Sequence, residues 1–213
     1  MNKQTKGYYD IDIDIERLVE DGGIIDDFFR LQNLKQRKLY LTSDIDQYSV
    51  EEIIRNILQY NKDDACLPAT ERKPILLYVS SNGGELESGF ELIDTIRMSK
   101  TPVYTINLGY QYSMGFLIGL AGHKRYASQN ATFLMHDGLS LVRNSSAKAQ
   151  DQMEFQKRFE DRIKQYILSR SKLESDEYDR KLRVEWYLFA DEAKKKGFTD
   201  YIIGVDCDID NII

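Results

Sequence analysis

The chain of 213 residues is long enough for one domain with a sizeable core. Its formal net charge of −6 argues against a general nucleic-acid binder, which needs a basic face. No apolar run approaches the roughly 18 residues that span a bilayer, and the polar N-terminus lacks a signal-peptide pattern. Cys66 and Cys207 have neither metal-ligand nor redox-motif spacing, so we expect unpaired thiols, no metal site and a cytoplasmic location.

The predicted elements begin with an acidic arm over residues 1–25. Its stretch DIDIDI alternates apolar and acidic residues, as in a strand with one face exposed to solvent. From residue 26 onward the chain reads as one domain. It opens with a short helix in DDFFRLQNLKQR and a strand in KLYLTSDI. Ser49, with Glu52 three positions later, predicts a capping box at the start of an amphipathic helix. A polar loop is predicted over residues 61–74.

Alternation of strands and helices follows in the middle of the chain. The segments ILLYVSS and PVYTINLG are continuous apolar strands, typical of a buried parallel sheet, and ELESGFELIDTIRMSK between them is a predicted helix. A loop in GYQY, a small-residue helix in SMGFLIGLAG and a strand in ATFLMH come next. This order predicts an α/β fold.

The C-terminal part contains one unusually long helix. After His136, DGLSLVRN reads as a short strand, and a charged helix is predicted over about residues 145–172. Its apolar face comprises Met153, Phe155, Phe159, Ile163, Tyr166 and Ile167. A helix of this length needs a packing partner for that face, which favours an interface role. The last helix ends at Gly197 and a strand follows it.

Ser113 and His136 are the residues that suggest catalysis. A serine at the start of an apolar helix is usually structural, but Ser113 follows a strand and a loop, where a nucleophile gains from the helix dipole and from free N–H groups. The glycines of SNGG allow a substrate backbone to approach. His136 ends an apolar strand, where a core histidine has few partners, whereas His123 is expected at the surface in a turn.

Three blocks of the sequence match a known family. SSNGG…SGFELIDTI, GYQYSMGFLIGLAGHKR and NATFLMHD resemble the proteolytic subunit of the Clp protease, the ClpP family, and so do RKLYLTSDID and FADEAKKKGFTDYII. The resemblance runs from about residue 26 to residue 203. It implies a ClpP/crotonase-type fold, with stacked parallel strands, outer helices and a projecting handle helix.

The resemblance also implies a role for individual residues. Ser113 becomes the nucleophile and His136 the general base, and the N–H groups of Gly83 and Met114 form the oxyanion hole. An extended peptide substrate would lie against Gly84 on one side. On the other side it would lie against Asp137 and Gly138.

The third catalytic residue departs from the family pattern. Where the family has an aspartate, this chain has Glu185, in RVEW. Asp137 and Asp179 remain alternatives, although Asp137 neighbours His136 on a strand and so points to the opposite face. Arg183 and Val184 replace an Asp-Arg pair that joins two rings in the family, and Val184 cannot form that ion pair.

The implied function is that of a serine endopeptidase subunit in a self-compartmentalised protease. Its expected substrates are unfolded polypeptides, and its expected assembly is a tetradecamer of two stacked heptameric rings, fed by an AAA+ unfoldase. The chain has no phosphate-binding loop, so we expect no cofactor and ATP use only by the partner. The alternatives are a dedicated processing peptidase, such as a phage prohead type, and a non-catalytic or crotonase-type relative.

Overall fold

The computed structural model describes residues 25–138 and 146–213. The predicted arm, and most of the strand predicted after His136, lie outside the described residues. The strands are β1 Lys38–Leu41, β2 Ile75–Val79, β3 Val103–Asn107, β4 Tyr110–Tyr112, β5 Lys124–Ala127, β6 Thr132–Met135, β7 Trp186–Phe189 and β8 Tyr201–Ile202. The helices are α1 Ile25–Lys35, α2 Gln47–Asp63, α3 Leu86–Met98, α4 Met114–Ala121, α5 Ser146–Arg170, α6 Ser175–Lys181 and α7 Ala190–Lys195, with 3-10 turns at Ala69–Glu71 and Ile209–Asn211.

A parallel five-stranded sheet forms the centre of the fold. Its strand order is β1-β2-β3-β5-β8, and every pairing within it is parallel. All five residues of β2 are buried, as expected for a parallel sheet covered on both faces. The predicted α/β class with stacked, mainly parallel strands is therefore confirmed.

A second sheet of three strands, in the order β4-β6-β7, carries the site described below. β4 pairs with β6 in parallel, whereas β6 and β7 are antiparallel. From the sequence, the β4 segment is predicted as a loop. The strand forms because Tyr110–Tyr112 pairs on both sides, with β6 and, through an isolated bridge, with Ser81.

The long helix α5 agrees with the helix predicted over residues 145–172. Its C-terminal turns pack on α4, where the Tyr166 hydroxyl donates to the Leu117 carbonyl at 2.9 Å. Nearer its N-terminal end, Met153 and Phe155 are 54% and 53% exposed. The helix is thus anchored at one end and carries apolar side chains in solvent towards the other.

Two local predictions are wrong in detail. The cap of α2 is Asp46, whose side chain accepts from the Ser49 N–H at 2.7 Å, while the Ser49 hydroxyl accepts from the Asp46 N–H at 3.0 Å. Ser49 is thus the third residue of the capping box, because the carboxylate upstream can accept its N–H. The predicted polar loop is also shorter, since α2 continues to Asp63.

The predicted end of the last helix at Gly197 is confirmed. Gly197 has φ +74°, and its N–H donates to the Lys194 carbonyl at 3.0 Å. The Phe198 N–H donates to the Ala193 carbonyl at 2.8 Å. These two bonds form a Schellman motif, which needs the left-handed residue that glycine supplies.

Candidate active site

Ser113 occupies a sharp turn between β4 and α4. Its backbone has φ 51° and ψ −120°, a conformation that residues other than glycine rarely adopt. The turn is fixed on both sides, since the Ser113 N–H donates to the Leu134 carbonyl at 3.0 Å and its carbonyl accepts from the Leu117 N–H at 3.2 Å. A strained strand-to-helix turn of this kind presents a hydroxyl at the end of a sheet. Met114 is the first residue of α4, so its N–H is not used inside the helix.

Gly83 lies directly against the Ser113 side chain. It has φ +113°, and a Cβ placed on it would lie 2.7 Å from the Ser113 Cβ, 3.1 Å from the Ser113 Oγ and 3.1 Å from the Met114 nitrogen. The Ser113 turn and the Gly83 segment are held together by a hydrogen bond from the Tyr112 N–H to the Ser81 carbonyl at 3.0 Å. The N–H of Gly83 donates to the Ser81 Oγ at a rather long 3.2 Å. Glycine at this position leaves space beside the serine hydroxyl.

His136 and Glu185 meet across the antiparallel strands β6 and β7. The last pair in that register is Met135 with Trp186, so the next step brings His136 opposite Glu185 on the same face. The His136 Nδ1 lies 3.0 Å from a carboxylate oxygen of Glu185. The side chain of His136 is 23% exposed and that of Glu185 is 58% exposed. The register of the two strands therefore sets this histidine–carboxylate contact.

The other imidazole nitrogen, Nε2 of His136, is buried and has no hydrogen-bond partner among the described residues. Ser113 and His136 are therefore not hydrogen bonded to each other in this structure. They line the same cavity, of about 310 Å³. Catalytic hydrogen bonds without bound substrate are often long or misaligned and tighten in the substrate complex. Among the described residues, the unpaired Nε2 therefore leaves His136 with a free ring position in the cavity that Ser113 also lines.

The cavity is mostly apolar inside and polar at its rim. Apolar side chains come from the start of α3, from α4, from β6, from α5 and from the end of α6, namely Leu86, Met114, Phe116, Leu117, Met135, Ile163, Ile167 and Leu182. Tyr178 is also buried there, and burial, followed by the nearby carboxylate of Asp179, raises the pKa of its hydroxyl to about 12. The hydroxyl therefore stays neutral at ordinary pH, and the cavity suits an apolar side chain.

Two of the remaining predicted site residues line this cavity, and the others do not. Asp137 and Gly138 line the cavity, and the Asp137 N–H donates to the Leu182 carbonyl at 3.0 Å. Gly84, with φ +150°, is pressed against Ile45, whose carbonyl would lie 2.1 Å from an added Cβ. Asp179 does not contact His136 but forms an ion pair with Lys164 at 2.7 Å. His123 is exposed, as predicted.

Sequence reasoning missed two parts of the site. The apolar face of α5 was assigned to an interface, although Ile163 and Ile167 of that face line the cavity. Tyr187, whose hydroxyl donates to Glu185 at 3.3 Å, was not considered. Only its spacing of two residues from Glu185 on a strand, which puts both side chains on one face, could have indicated it.

Neither a metal centre nor a membrane span is found within residues 25–138 and 146–213. No group of three His, Cys, Asp or Glu side chains there is placed to hold a metal ion. Cys66 and Cys207 are free thiols. No helix in the same ranges combines the length and the apolar character needed to cross a membrane.

A serine at a strained turn beside a histidine–carboxylate pair is the kind of side-chain set that serine hydrolases use. Comparison with known proteins supports a peptidase. A family model described as Clp protease matches residues 24–206. The chain therefore belongs to the Clp protease family, whose members are peptidases.

Three curated relatives are named as ATP-dependent Clp protease proteolytic subunits. Subunit 2 of Treponema pallidum is 28% identical over 178 residues, which cover 83% of this chain and 86% of the relative. Subunit 3 of Streptomyces coelicolor is 32% identical over 185 residues, with 84% and 80% covered. Subunit 2 of Tropheryma whipplei is 30% identical over 172 residues, with 79% and 92% covered.

Proposed function

We propose that the chain is the serine endopeptidase subunit of a self-compartmentalised protease that hydrolyses peptide bonds of unfolded proteins. The observation that carries the proposal is the cavity that Ser113 and His136 both line, with Nε2 of His136 unpaired among the described residues and Glu185 at its Nδ1. These are the nucleophile, the base and the orienting acid that peptide hydrolysis requires.

Each residue has a defined step in this mechanism. In the substrate complex the Nε2 of His136 takes the proton of the Ser113 hydroxyl as the oxygen attacks the substrate carbonyl carbon. The N–H groups of Met114 and Gly83 then stabilise the oxyanion. For this, the Gly83 N–H shares or leaves its long bond to the Ser81 Oγ. The protonated imidazole gives its proton to the leaving amine, and water hydrolyses the acyl-enzyme by the same steps.

The substrate is proposed to bind as an extended strand. One side of it lies along the backbone after Gly84, and the other lies along Asp137 and Gly138, so that backbone hydrogen bonds supply most of the affinity. One side chain of the substrate enters the apolar cavity beside Ser113. Such binding depends little on sequence, which suits the degradation of varied unfolded chains.

Glu185 is proposed as the third member of the triad, because it, and neither Asp137 nor Asp179, contacts the imidazole. Glu185→Gln keeps the shape but removes the charge that stabilises the imidazolium, so we expect at least about a tenfold loss of peptidase turnover. Steady-state hydrolysis of a fluorogenic peptide measures it.

Asp179→Asn is the matched control for this prediction. It neutralises an acid of the same region whose partner is Lys164, so turnover should change little. The reverse pattern in the two variants would assign the third position to Asp179 and leave the roles of Ser113 and His136 in place.

Assembly into rings is the second part of the proposal. The relatives are named as subunits, and α5 exposes Met153 and Phe155, which interdigitation with α5 of an opposite ring would cover. We propose a homo-oligomer of two heptameric rings in the cytoplasm, fed by an AAA+ unfoldase. In this proposal the unfoldase alone hydrolyses ATP, which is consistent with the word "ATP-dependent" in the relatives' names. The chain itself needs no cofactor.

Light scattering tests this assembly. We expect the purified chain to have the mass of many subunits, and Phe155→Glu to halve that mass by separating the rings, because it places charge on the exposed face of α5. A control change at Met98, which is 75% exposed on α3, should leave the mass unchanged. A monomer at working concentration would contradict the proposed ring.

One experiment separates the competing functions. A fluorophosphonate probe should label Ser113, which a non-catalytic or crotonase-type relative would not permit. Dependence of protein degradation on an added unfoldase then distinguishes a general protease from a dedicated processing peptidase of the prohead type. Labelling of another serine, or none, would contradict the proposed function.

A further inference from the structure

The two carboxylate oxygens of Glu185 have different partners. One lies 3.0 Å from the Nδ1 of His136, and the other accepts a hydrogen bond from the Tyr187 hydroxyl at 3.3 Å. Glu185 directly precedes β7, and Tyr187 is the second residue of that strand, so the two side chains share a face. The hydroxyl therefore reaches the carboxylate from the side away from the imidazole.

Such a second partner matters because Glu185 is poorly restrained by its surroundings. Its side chain is 58% exposed, and a glutamate has one more rotatable bond than an aspartate. Holding it against His136 costs rotamer entropy, and water competes for both oxygens. A donor fixed on the second oxygen reduces the number of positions that the carboxylate can take.

Tyr187 is 56% exposed, but its ring packs on the strand that leads to Ser113. Its ring packs edge-to-face on Tyr112, with centroids 5.7 Å apart and planes at 89°. The Tyr112 hydroxyl in turn lies 2.9 Å from the Thr132 Oγ1 on β6. Tyr112 is the residue before Ser113, so this aromatic contact connects the nucleophile turn to the acid of the triad.

We propose that Tyr187 is a positioning residue that holds Glu185 in the orientation that supports His136. The inference rests on the proposed function, because it assigns Tyr187 a role only through Glu185. Partial desolvation and the neighbouring Glu185 carboxylate both raise the pKa of Tyr187 above its ordinary value. Its hydroxyl thus remains a donor throughout the pH range of a peptidase assay.

A double-mutant cycle tests the role in the full, assembled chain. Tyr187→Phe keeps the ring and its packing on Tyr112 but removes the donor. We expect it to lower kcat by about three- to tenfold with little change in KM, because the loss of one hydrogen bond at the surface loosens the carboxylate without removing it. Placed in a Glu185→Ala background, the same change should have no further effect.

Two further measurements separate positioning from a merely structural effect. The acidic limb of the pH–kcat/KM profile should move to lower pH in Tyr187→Phe. A looser carboxylate stabilises the imidazolium of His136 less, so the imidazole becomes the neutral base at a lower pH. The melting temperature should stay that of the unsubstituted chain. Tyr48→Phe, at a residue 83% exposed on α2, is the control and should change neither.

The outcomes separate this inference from the proposed function. An unchanged kcat in Tyr187→Phe, or an equal loss in both backgrounds, overturns the role of Tyr187 while Ser113 labelling leaves the peptidase function intact. Full activity of Glu185→Ala removes Glu185 from the triad and overturns the inference with it. Absence of Ser113-dependent hydrolysis in the unsubstituted chain overturns the proposed function and the role of Tyr187 together.

Discussion

Ser113→Ala should abolish peptide hydrolysis and fluorophosphonate labelling while leaving the assembly unchanged. Without the oxygen nucleophile, no acyl-enzyme forms, and loss of a triad member costs at least about a thousandfold in rate. The change should not disturb the fold, because alanine meets the same backbone constraint as serine and no hydrogen bond of the Ser113 hydroxyl contributes to the described structure. Initial rates of hydrolysis of a fluorogenic peptide measure the activity, and light scattering measures the mass of the assembly.

Ser128→Ala provides the control for this experiment. Its hydroxyl bonds only the Leu108 carbonyl, at 3.1 Å, and it does not line the cavity beside Ser113. It should therefore retain full activity. Comparable hydrolysis by Ser113→Ala and the unsubstituted chain would mean that another residue is the nucleophile or that the mechanism is different.

Gly83→Ala should have the second-largest effect, at least about a hundredfold loss of turnover. The added methyl group would lie 3.1 Å from both the Ser113 Oγ and the Met114 nitrogen, in the space proposed for the oxyanion. Alanine keeps the backbone N–H, so the loss comes from the methyl group, which crowds the position proposed for the oxyanion. Loss of a single oxyanion-hole donor costs about a hundred- to a thousandfold in other enzymes, and a blocked hole should cost at least the lower figure. The same assay measures it, together with the rate of fluorophosphonate labelling.

Gly109→Ala is the matched glycine control. At that position the nearest atom to an added Cβ is the Ser80 Oγ, at 3.8 Å, so the substitution fits. Because Gly83 has φ +113°, alanine there also strains the backbone, and a melting curve must show that the variant is folded at the assay temperature. A folded Gly83→Ala protein with normal turnover would place the oxyanion hole elsewhere.

The central sheet and the long helix could be predicted from the sequence because their signals are local. β2 and β3 are apolar runs bounded by polar turns, and α5 repeats apolar residues at helical spacing. β4 could not be predicted, since three residues with a polar glutamine at the centre carry no periodic signal. It exists because its neighbours pair with it, which is a tertiary effect.

The site residues likewise include some that have a local sequence signal and some that depend on tertiary contacts. Ser113 and His136 were predicted from their places after strands and from the family blocks around them. The contact of Glu185 with His136 depends on the register of β6 and β7, which are separated by about fifty positions in the chain, and no local pattern encodes that register. The contribution of α5 to the cavity wall could not be predicted either. The apolar face of a helix can line a pocket or pack on a neighbouring subunit, and its sequence pattern is the same in both cases.

The backbone of Ser113 has a consequence for how this protein can evolve. Its φ of 51° with ψ −120° is a conformation that glycine adopts easily and serine does not, at a cost on the order of 1–3 kcal/mol. At this position, thermodynamic optimisation and chemistry therefore favour different residues. On the proposed function, a lineage released from the need to cleave peptides would gain stability by replacing this serine with glycine.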